Sequence, residues 1–264
     1  MRFRAFVVSV LAGVVLAGCG GEDDSSEGRS TTPPTVETKP LETVPDTAPA
    51  ILKVYFLQDG KVTVSSRSVV AGPAVARAAL VELLEGVTTA EAARGLHSDI
   101  PAGTKLEDVA IDDDTTALVE LSQPIGELAT AQVVFTLTQF TSIRRVRLEG
   151  EEHVRGDFEA ATPSVLVASP VPGEAVATPV RIDGTANTFE ATFNVEVVDA
   201  NGEVLGKRFV TATSGSGTRG TFDAEVEFKA AADGPGELLV FELSAEDGSR
   251  IHEVRIPLQI RVPR

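Results

Sequence analysis

Residues 50–157 carry hydrophobic positions with both a strand period and a helix period. Two β-branched runs, residues 51–57 and 61–70, flank the turn Gln58-Asp59-Gly60 and predict a β-hairpin. Apolar residues then recur on one helical face between Pro73 and Gly86, which are residue types expected near the start and just past the end of a helix.

The pattern continues with two strands, a second helix and a last strand. Residues 106–111 and 117–121 predict strands, residues 128–142 predict a helix, and residues 143–148 alternate apolar and arginine positions as in a strand with one solvent face. The order is therefore ββαββαβ, which predicts an α+β sandwich with helices on one sheet over residues 50–157.

Helical periods disappear after residue 163, and short β-rich runs separated by turn residues take their place. Seven such runs predict an all-β immunoglobulin-like sandwich over residues 163–263. The runs are residues 165–168, 180–184, 191–198, 204–211, 220–228, 236–246 and 251–262.

Several short motifs of the first domain occur together in a fixed order. They are Leu83-Leu84-Glu85-Gly86, Gly95-Leu96, Ile100-Pro101-Ala102-Gly103-Thr104, Ala117-Leu118-Val119-Glu120-Leu121-Ser122, and the segment from Gln132 to Phe140 before Val146. This series resembles the GerMN domain found in envelope lipoproteins of spore-forming and other bacteria. The resemblance implies a module that assembles in or beside membrane complexes.

The second domain has motifs of its own. They are Ser169-Pro170-Val171-Pro172-Gly173, Thr178-Pro179-Val180, Gly184-Thr185-Ala186, Phe189-Glu190-Ala191, Gly220-Thr221-Phe222, Ser244-Ala245-Glu246-Asp247-Gly248, and the segment from Val254 to Leu258. They resemble the Gmad-type immunoglobulin-like domain of spore germination, a known partner of GerMN, so the two resemblances support each other.

The N-terminus predicts export and lipidation. Arg2 and Arg4 precede an apolar stretch of about a dozen residues, too short to span a bilayer. The run Leu16-Ala17-Gly18-Cys19 resembles a lipobox, which implies a signal peptide over residues 1–18 and acylation of Cys19, the only cysteine. Two acyl chains would anchor the protein stably in the extracytoplasmic face of the membrane.

Residues 19–49 predict a lipidated, disordered tether, because they are rich in Ser, Thr, Pro and acidic residues and nearly lack large apolar side chains. Without residues 1–18 the formal charge falls from −16 to −16 − 2 = −18. This acidic balance argues against nucleic-acid binding as a main function, since such proteins present a basic face. A single cysteine permits neither an internal disulfide nor a cysteine-based metal site.

Candidate catalytic and ligand motifs are weak. His97, Ser98 and Asp99 have suitable chemistry but are consecutive, and consecutive residues rarely converge as a triad must. Residues 215–220 spell a dinucleotide-binding pattern, yet a strand follows where a helix is needed, so a flexible hairpin loop is the preferred interpretation.

The remaining polar groups do not predict a metal site. Residues 112–114 are three aspartates that fit a solvated turn better than a calcium loop, because Ala117 stands where that loop requires glycine. His97, His153 and His252 lie far apart in the sequence. We therefore predict no catalytic residues, no metal and no cofactor.

A group of arginines remains. Arg144, Arg145, Arg147 and Arg155 cluster at the end of the first domain of a strongly acidic chain. They predict either charge protection of a sheet edge or a docking surface for an acidic protein patch or an anionic wall polymer.

The sequence supports three functions to different degrees. The favoured one is a non-catalytic, membrane-anchored envelope lipoprotein with an envelope or membrane protein as partner. The alternative is a lipoprotein that binds cell-wall glycan, although Trp is absent and Tyr55 is the single Tyr, so an aromatic platform for sugars is poorly supplied. An enzyme acting on peptidoglycan needs a converging acid and base, and no spacing singles out such a pair.

Overall fold

A computed structural model describes residues 49–70 and 74–263 of the chain. The predicted signal peptide, Cys19 and nearly all of the predicted tether lie outside these residues, as do Gly72 and Pro73. In the described part, no helix is both long and apolar enough to cross a membrane.

The first domain follows the predicted order of strands and helices. Its elements are β1 (Ala50–Gln58), β2 (Lys61–Val69), α1 (Val75–Glu85), α2 (Thr89–Ala93), β3 (Leu106–Ile111), β4 (Thr116–Leu121), α3 (Glu127–Leu137), β5 (Arg145–Leu148) and β6 (Glu151–His153). Helix α2 and strand β6 were not predicted, because five and three residues are too few to show a period. A connecting 3-10 helix, Arg155–Ala161, leads out of the domain.

The strands of this domain form two sheets, so the expectation of one sheet was wrong. β1 and β2 pair as an antiparallel hairpin, while the other four strands lie in the order β3-β4-β5-β6. Strand β5 runs parallel to β4 because α3 provides the crossover between them. Strand β5 is internal because β4 pairs with one side of it and β6 with the other. Protection of a sheet edge therefore does not explain Arg145 and Arg147.

Helix α3 is buried on all sides instead of on one stripe. Every residue from Ala129 to Leu137 is buried. The helix ends at Leu137, five residues before its predicted end at Ser142. Two side chains donate hydrogen bonds to backbone carbonyls of its last turn. Gln139 Nε2 donates to Thr136 O at 2.6 Å, and Arg155 Nη2 donates to Phe135 O at 3.0 Å.

The second domain is a sandwich of two sheets, as predicted. Its strands are β7 (Val165–Ser169), β8 (Ala175–Val176), β9 (Val180–Ala186), β10 (Thr192–Asp199), β11 (Val204–Thr211), β12 (Gly220–Val226), β13 (Gly234–Leu243) and β14 (Arg250–Ile260). One sheet has the order β11-β10-β13-β14-β8 and the other β12-β9-β7. Phe193 and Phe222 meet between the sheets with ring centroids 4.9 Å apart, so apolar packing replaces the disulfide of antibody domains.

Candidate functional site

The two domains meet through a shared apolar core. Leu166 in β7 and Val171 after it belong to the hydrophobic cluster that also contains Val62 and Val64 of the hairpin strand β2. All four side chains are buried. The described parts of both domains accordingly fall within one compact unit.

An ion pair joins the connecting 3-10 helix to the sandwich. Arg219, in the loop between β11 and β12, places Nε 2.8 Å and Nη2 3.0 Å from the two carboxylate oxygens of Glu159. Arg219 also donates to Pro163 O at 2.8 Å, and Asn187 donates to Glu159 at 2.8 Å. The hydrogen bonds from Arg219 lower the pKa of Glu159, so this bidentate pair stays charged at neutral pH.

The β1–β2 hairpin adds two polar contacts across the same junction. Lys61 Nζ donates to Ala160 O at 2.6 Å, and Ser66 Oγ donates to Pro172 O at 3.1 Å. Together with the shared core and the Glu159–Arg219 pair, these bonds hold the hairpin against the second domain.

A cleft of about 470 Å³ opens at this junction, and we call it the junction cleft. Three chain segments form its walls: the hairpin, the connection after the 3-10 helix together with β7, and the first half of β14. Among its lining residues are Lys61, Val62, Val64, Val167, His252 and Arg255. Its volume lies in the range of ordinary ligand clefts.

A second polar cluster lies inside the first domain around Glu91 of α2. Arg67 places Nη1 and Nη2 at 2.6 and 2.8 Å from the carboxylate oxygens, Thr88 N donates at 2.6 Å, and the Ser65 hydroxyl donates as well. Glu91 is only 3% exposed. Thr88 and Glu91 also form the capping box of α2. Because these bonds join β2 to the start of α2, this cluster stabilises the fold.

The Glu91 cluster predicts a specific loss of stability in acid. Burial alone would raise the pKa of Glu91, but the bonds from Arg67, Ser65 and Thr88 outweigh burial and lower the pKa to about 2. A lowered pKa contributes stability above the unfolded-state value and loses it as the pH falls toward 2. The contribution is about 3 kcal/mol, from roughly 1.4 kcal/mol per pH unit of pKa change.

Urea unfolding at pH 7 and pH 2 measures this effect. The Glu91→Gln variant should be less stable than the wild type at pH 7, and the gap should shrink by about 3 kcal/mol at pH 2. Glu246→Gln, on the exposed turn before β14, should track the wild type at both pH values. A gap that stays constant with pH would contradict the assignment.

His97, Ser98 and Asp99 bond to other parts of the first domain. His97 Nε2 is 3.8 Å from Asp99 Oδ1, beyond hydrogen-bond distance, and Ser98 Oγ lies beside Gln132 at 3.4 Å. The backbone of His97 pairs with Leu57 through two bonds of 2.9 Å. Gln132, which is fully buried, also accepts from Asp99 N at 2.9 Å, so this segment ties α3 to β1.

The glycine-rich segment 215–220 connects the two sheets of the sandwich. Strands β11 and β12 belong to different sheets, so the expected hairpin loop was wrong. The close approach of Gly215 to Ala191 explains the glycine there, since a Cβ would lie 2.5 Å from Ala191 backbone atoms.

The three aspartates at residues 112–114 form a turn between β3 and β4. Asp112 accepts from the amides of Asp114 and Thr116, as the predicted turn requires. In the described residues, no group of three or more potential ligands converges as a metal site would need.

The four arginines of the predicted docking surface separate into three environments. Arg144 and Arg145 are exposed, and Arg147 forms an ion pair with Glu152 of β6. Arg155 instead donates to Thr138 Oγ1 at 2.7 Å and lies over the Phe135 ring at 4.8 Å. A guanidinium at a helix C-terminus stabilises the helix dipole. The structure thus gives Arg155 a role in holding the end of α3.

Sequence reasoning missed the residues that build the junction. Glu159 and Arg219 are 60 positions apart, and no periodic signal links them. The Thr88-x-x-Glu91 spacing is a local signature of a capping box, so the sequence does contain a signal for the Glu91 cluster.

Comparison with known proteins gives two family matches. Residues 53–154 match the Germane family, described as sporulation and spore germination, and residues 164–249 match Gmad2, described as the immunoglobulin-like domain of bacterial spore germination. Among solved structures, the tandem GerMN domains of the sporulation protein GerM from Bacillus subtilis match with 17% identity and a TM-score of 0.32. That match covers 81% of this chain and 61% of the GerM chain. No curated protein matched.

The fold defines a two-domain protein with an α+β domain followed by an immunoglobulin-like sandwich. Residues 53–154 and 164–249 match two families of sporulation and spore germination, Germane and Gmad2, one in each domain. The resemblances seen in the sequence are thereby confirmed. Neither family description names an enzymatic activity.

Proposed function

We propose that this chain is a non-catalytic, lipid-anchored envelope protein that serves as an interaction or assembly module in a sporulation- or germination-related system. The lipobox-like run ending at Cys19 supports the anchor and an extracytoplasmic location. The interaction role is supported mainly by the junction between the domains. There, a shared core and the Glu159–Arg219 pair hold the two domains together beside the junction cleft. A rigid arrangement of surfaces favours binding because little conformational entropy is lost.

The polar groups with the strongest internal bonding support a non-catalytic function. Glu91, Gln132 and Glu159 each bond to partners that position other elements of the fold. Catalytic groups, in contrast, are directed at a site where substrate can approach them.

The wall-glycan alternative has less support. Tyr55 is only 1% exposed and packs against Phe135, so it offers no surface for sugar stacking. Hydrolysis or retention of labelled cell wall by the purified protein would raise the enzyme or glycan-binding function above the protein-interaction function.

Crosslinking in intact cells, followed by isolation through the lipid anchor and mass spectrometry, tests the proposal. A discrete envelope protein attached to this chain would support it. Glycan fragments without a protein partner would favour the alternative. An unmodified Cys19 in protein purified from the same cells by an affinity tag, without selection for the lipid, would refute the anchor.

The exposed arginines give a direct prediction for partner docking. Reversing Arg145 and Arg147 to Glu should reduce capture of an acidic protein partner by about tenfold, because charge complementarity becomes repulsion. The melting temperature should change little, since both side chains are on the solvent face of β5. Arg181→Glu is a matched control, since Arg181 is also an exposed strand arginine in an ion pair, with Asp223. Equal capture of the partner by the wild type, the double variant and Arg181→Glu would count against docking at Arg145 and Arg147.

A further inference from the structure

Strand β14 has a neighbour on only part of one side. Strand β13 pairs with it along nearly its whole length, from Arg250 to Ile260. On the other side, β8 pairs only at Gln259 and Ile260. The segment before Pro257 is therefore an open sheet edge, and it forms one wall of the junction cleft.

The direction of the backbone in this segment follows from the bonds just beyond it. Gly173 N donates to Pro257 O at 2.8 Å, and Gln259 N donates to Glu174 O at 2.8 Å, both on the side away from β13. Backbone groups of alternate residues point the same way in a strand, so the N–H and C=O of Arg255 also point away from β13. Pro257 itself fits this position because an edge strand requires no N–H there.

Within the described residues, the N–H and C=O of Arg255 have no hydrogen-bond partner on this side. An added strand could accept from the Arg255 N–H and donate to the Arg255 C=O with its own backbone groups, as neighbouring strands of a sheet do. The chemistry of the edge therefore fits the backbone of an extended peptide.

The cleft is large enough for a short stretch of such a peptide. One extended residue occupies on the order of 160 Å³, from a rise of about 3.3 Å, a strand spacing of about 4.8 Å and a layer of about 10 Å. The volume of about 470 Å³ thus accommodates about three residues. Pro172 and Val254, which line the cleft and are only partly buried, supply apolar wall, so alternate side chains of the peptide should be apolar.

We propose that the junction cleft binds an extended segment of a partner protein, which adds as a strand to β14 at Arg255. This site rests on the interaction function proposed above and gives it a location and a ligand chemistry. Strand β14 begins at residue 250, beyond the match to the Gmad2 family, which ends at residue 249. The sandwich and the hairpin both contribute to the cleft, so binding requires the complete two-domain unit.

The test uses the full chain in detergent and a capped heptapeptide of alternating valine and threonine with a lysine at each end. Hydrogen exchange should show the Arg255 amide exchanging rapidly in the free protein and more slowly with peptide. The variant pair Arg255→Pro and Arg255→Ala isolates the backbone donor, because both remove the side chain and only proline removes the N–H. Arg255→Pro should bind the peptide about tenfold more weakly than Arg255→Ala, the effect of one lost hydrogen bond.

Each outcome decides the proposal. A peptide N-methylated at alternate amides should lose binding to the wild type, and this result holds even if Arg255→Pro does not fold. Equal binding by both peptides, or protection elsewhere in the chain, would overturn the site. Protection of Arg255 that grows with protein concentration and without peptide would overturn it in favour of a second copy of this chain. If in-cell crosslinking captures the same envelope protein with Arg255→Pro as with Arg255→Ala, the site fails while the interaction function stands.

Discussion

Replacing Arg67 with alanine should lower the free energy of unfolding by about 3–5 kcal/mol, because it leaves the Glu91 carboxylate charged and buried without its main partner. Arg67 also donates to Gly86 O at 3.2 Å, at the end of α1, and lies 5.3 Å from the centre of the Phe56 ring. One side chain thus connects β2, α1 and α2. Urea unfolding at pH 7 measures the loss.

Two further variants distinguish the loss of a buried ion pair from the loss of an exposed one. Arg77→Ala breaks an exposed pair with Asp108, at 3.3 Å, and should cost less than about 1 kcal/mol. The double variant Arg67→Met with Glu91→Gln removes both charges but keeps a side-chain oxygen for Thr88 N and Ser65 Oγ, so it should recover part of the stability lost in Arg67→Ala. If Arg67→Ala costs no more than Arg77→Ala, the buried-pair explanation is wrong.

Replacing Gly184 with alanine should lower the free energy of unfolding by more than about 3 kcal/mol or prevent folding, because the new methyl group has no room. Gly184 is in β9, the central strand of its sheet. An added Cβ would lie 2.1 Å from Leu166 O and 2.8 Å from the ring of Phe222. Relieving the first contact requires β7 to move, and Leu166 belongs to the core shared by the domains.

Gly234→Ala is the matched control for this effect. Gly234 is also in a strand, β13, but no atom lies within 4 Å of the position that its Cβ would take. Thermal unfolding of both variants should show a small change for Gly234→Ala and a large one for Gly184→Ala. Similar melting temperatures for the two variants would mean that β7 can move without cost.

The sequence predicted the strands of the second domain well because β-branched runs there are separated by clear turn residues. Strand β11 begins and ends where the pattern placed it, at Val204 and Thr211. The same reasoning failed to separate the sheets of the first domain, since the alternation of apolar residues indicates which face is buried and not which strand lies beside it. The complete burial of α3 was also missed, because residues such as Thr136 and Gln132 are polar in sequence yet bonded inside the fold.

The junction could not be predicted for a related reason. The Glu159–Arg219 pair depends on a loop between sheets meeting a 3-10 helix, and the open edge of β14 depends on β8 being only two residues long. Both are consequences of tertiary arrangement. Arg155 shows the converse case, since its charge suggested a surface role while its position after β6 directs it to the end of α3.

The shared core has a practical consequence for how the protein can be divided. The two family matches end and begin at residues 154 and 164, which invites a cut between them. Such a cut would take Leu166 and Val171 away from the first domain and expose the apolar surface that they cover. It would also remove Arg219 from Glu159. Each half made alone should therefore tend to aggregate, and the two halves mixed together should be more soluble than either one.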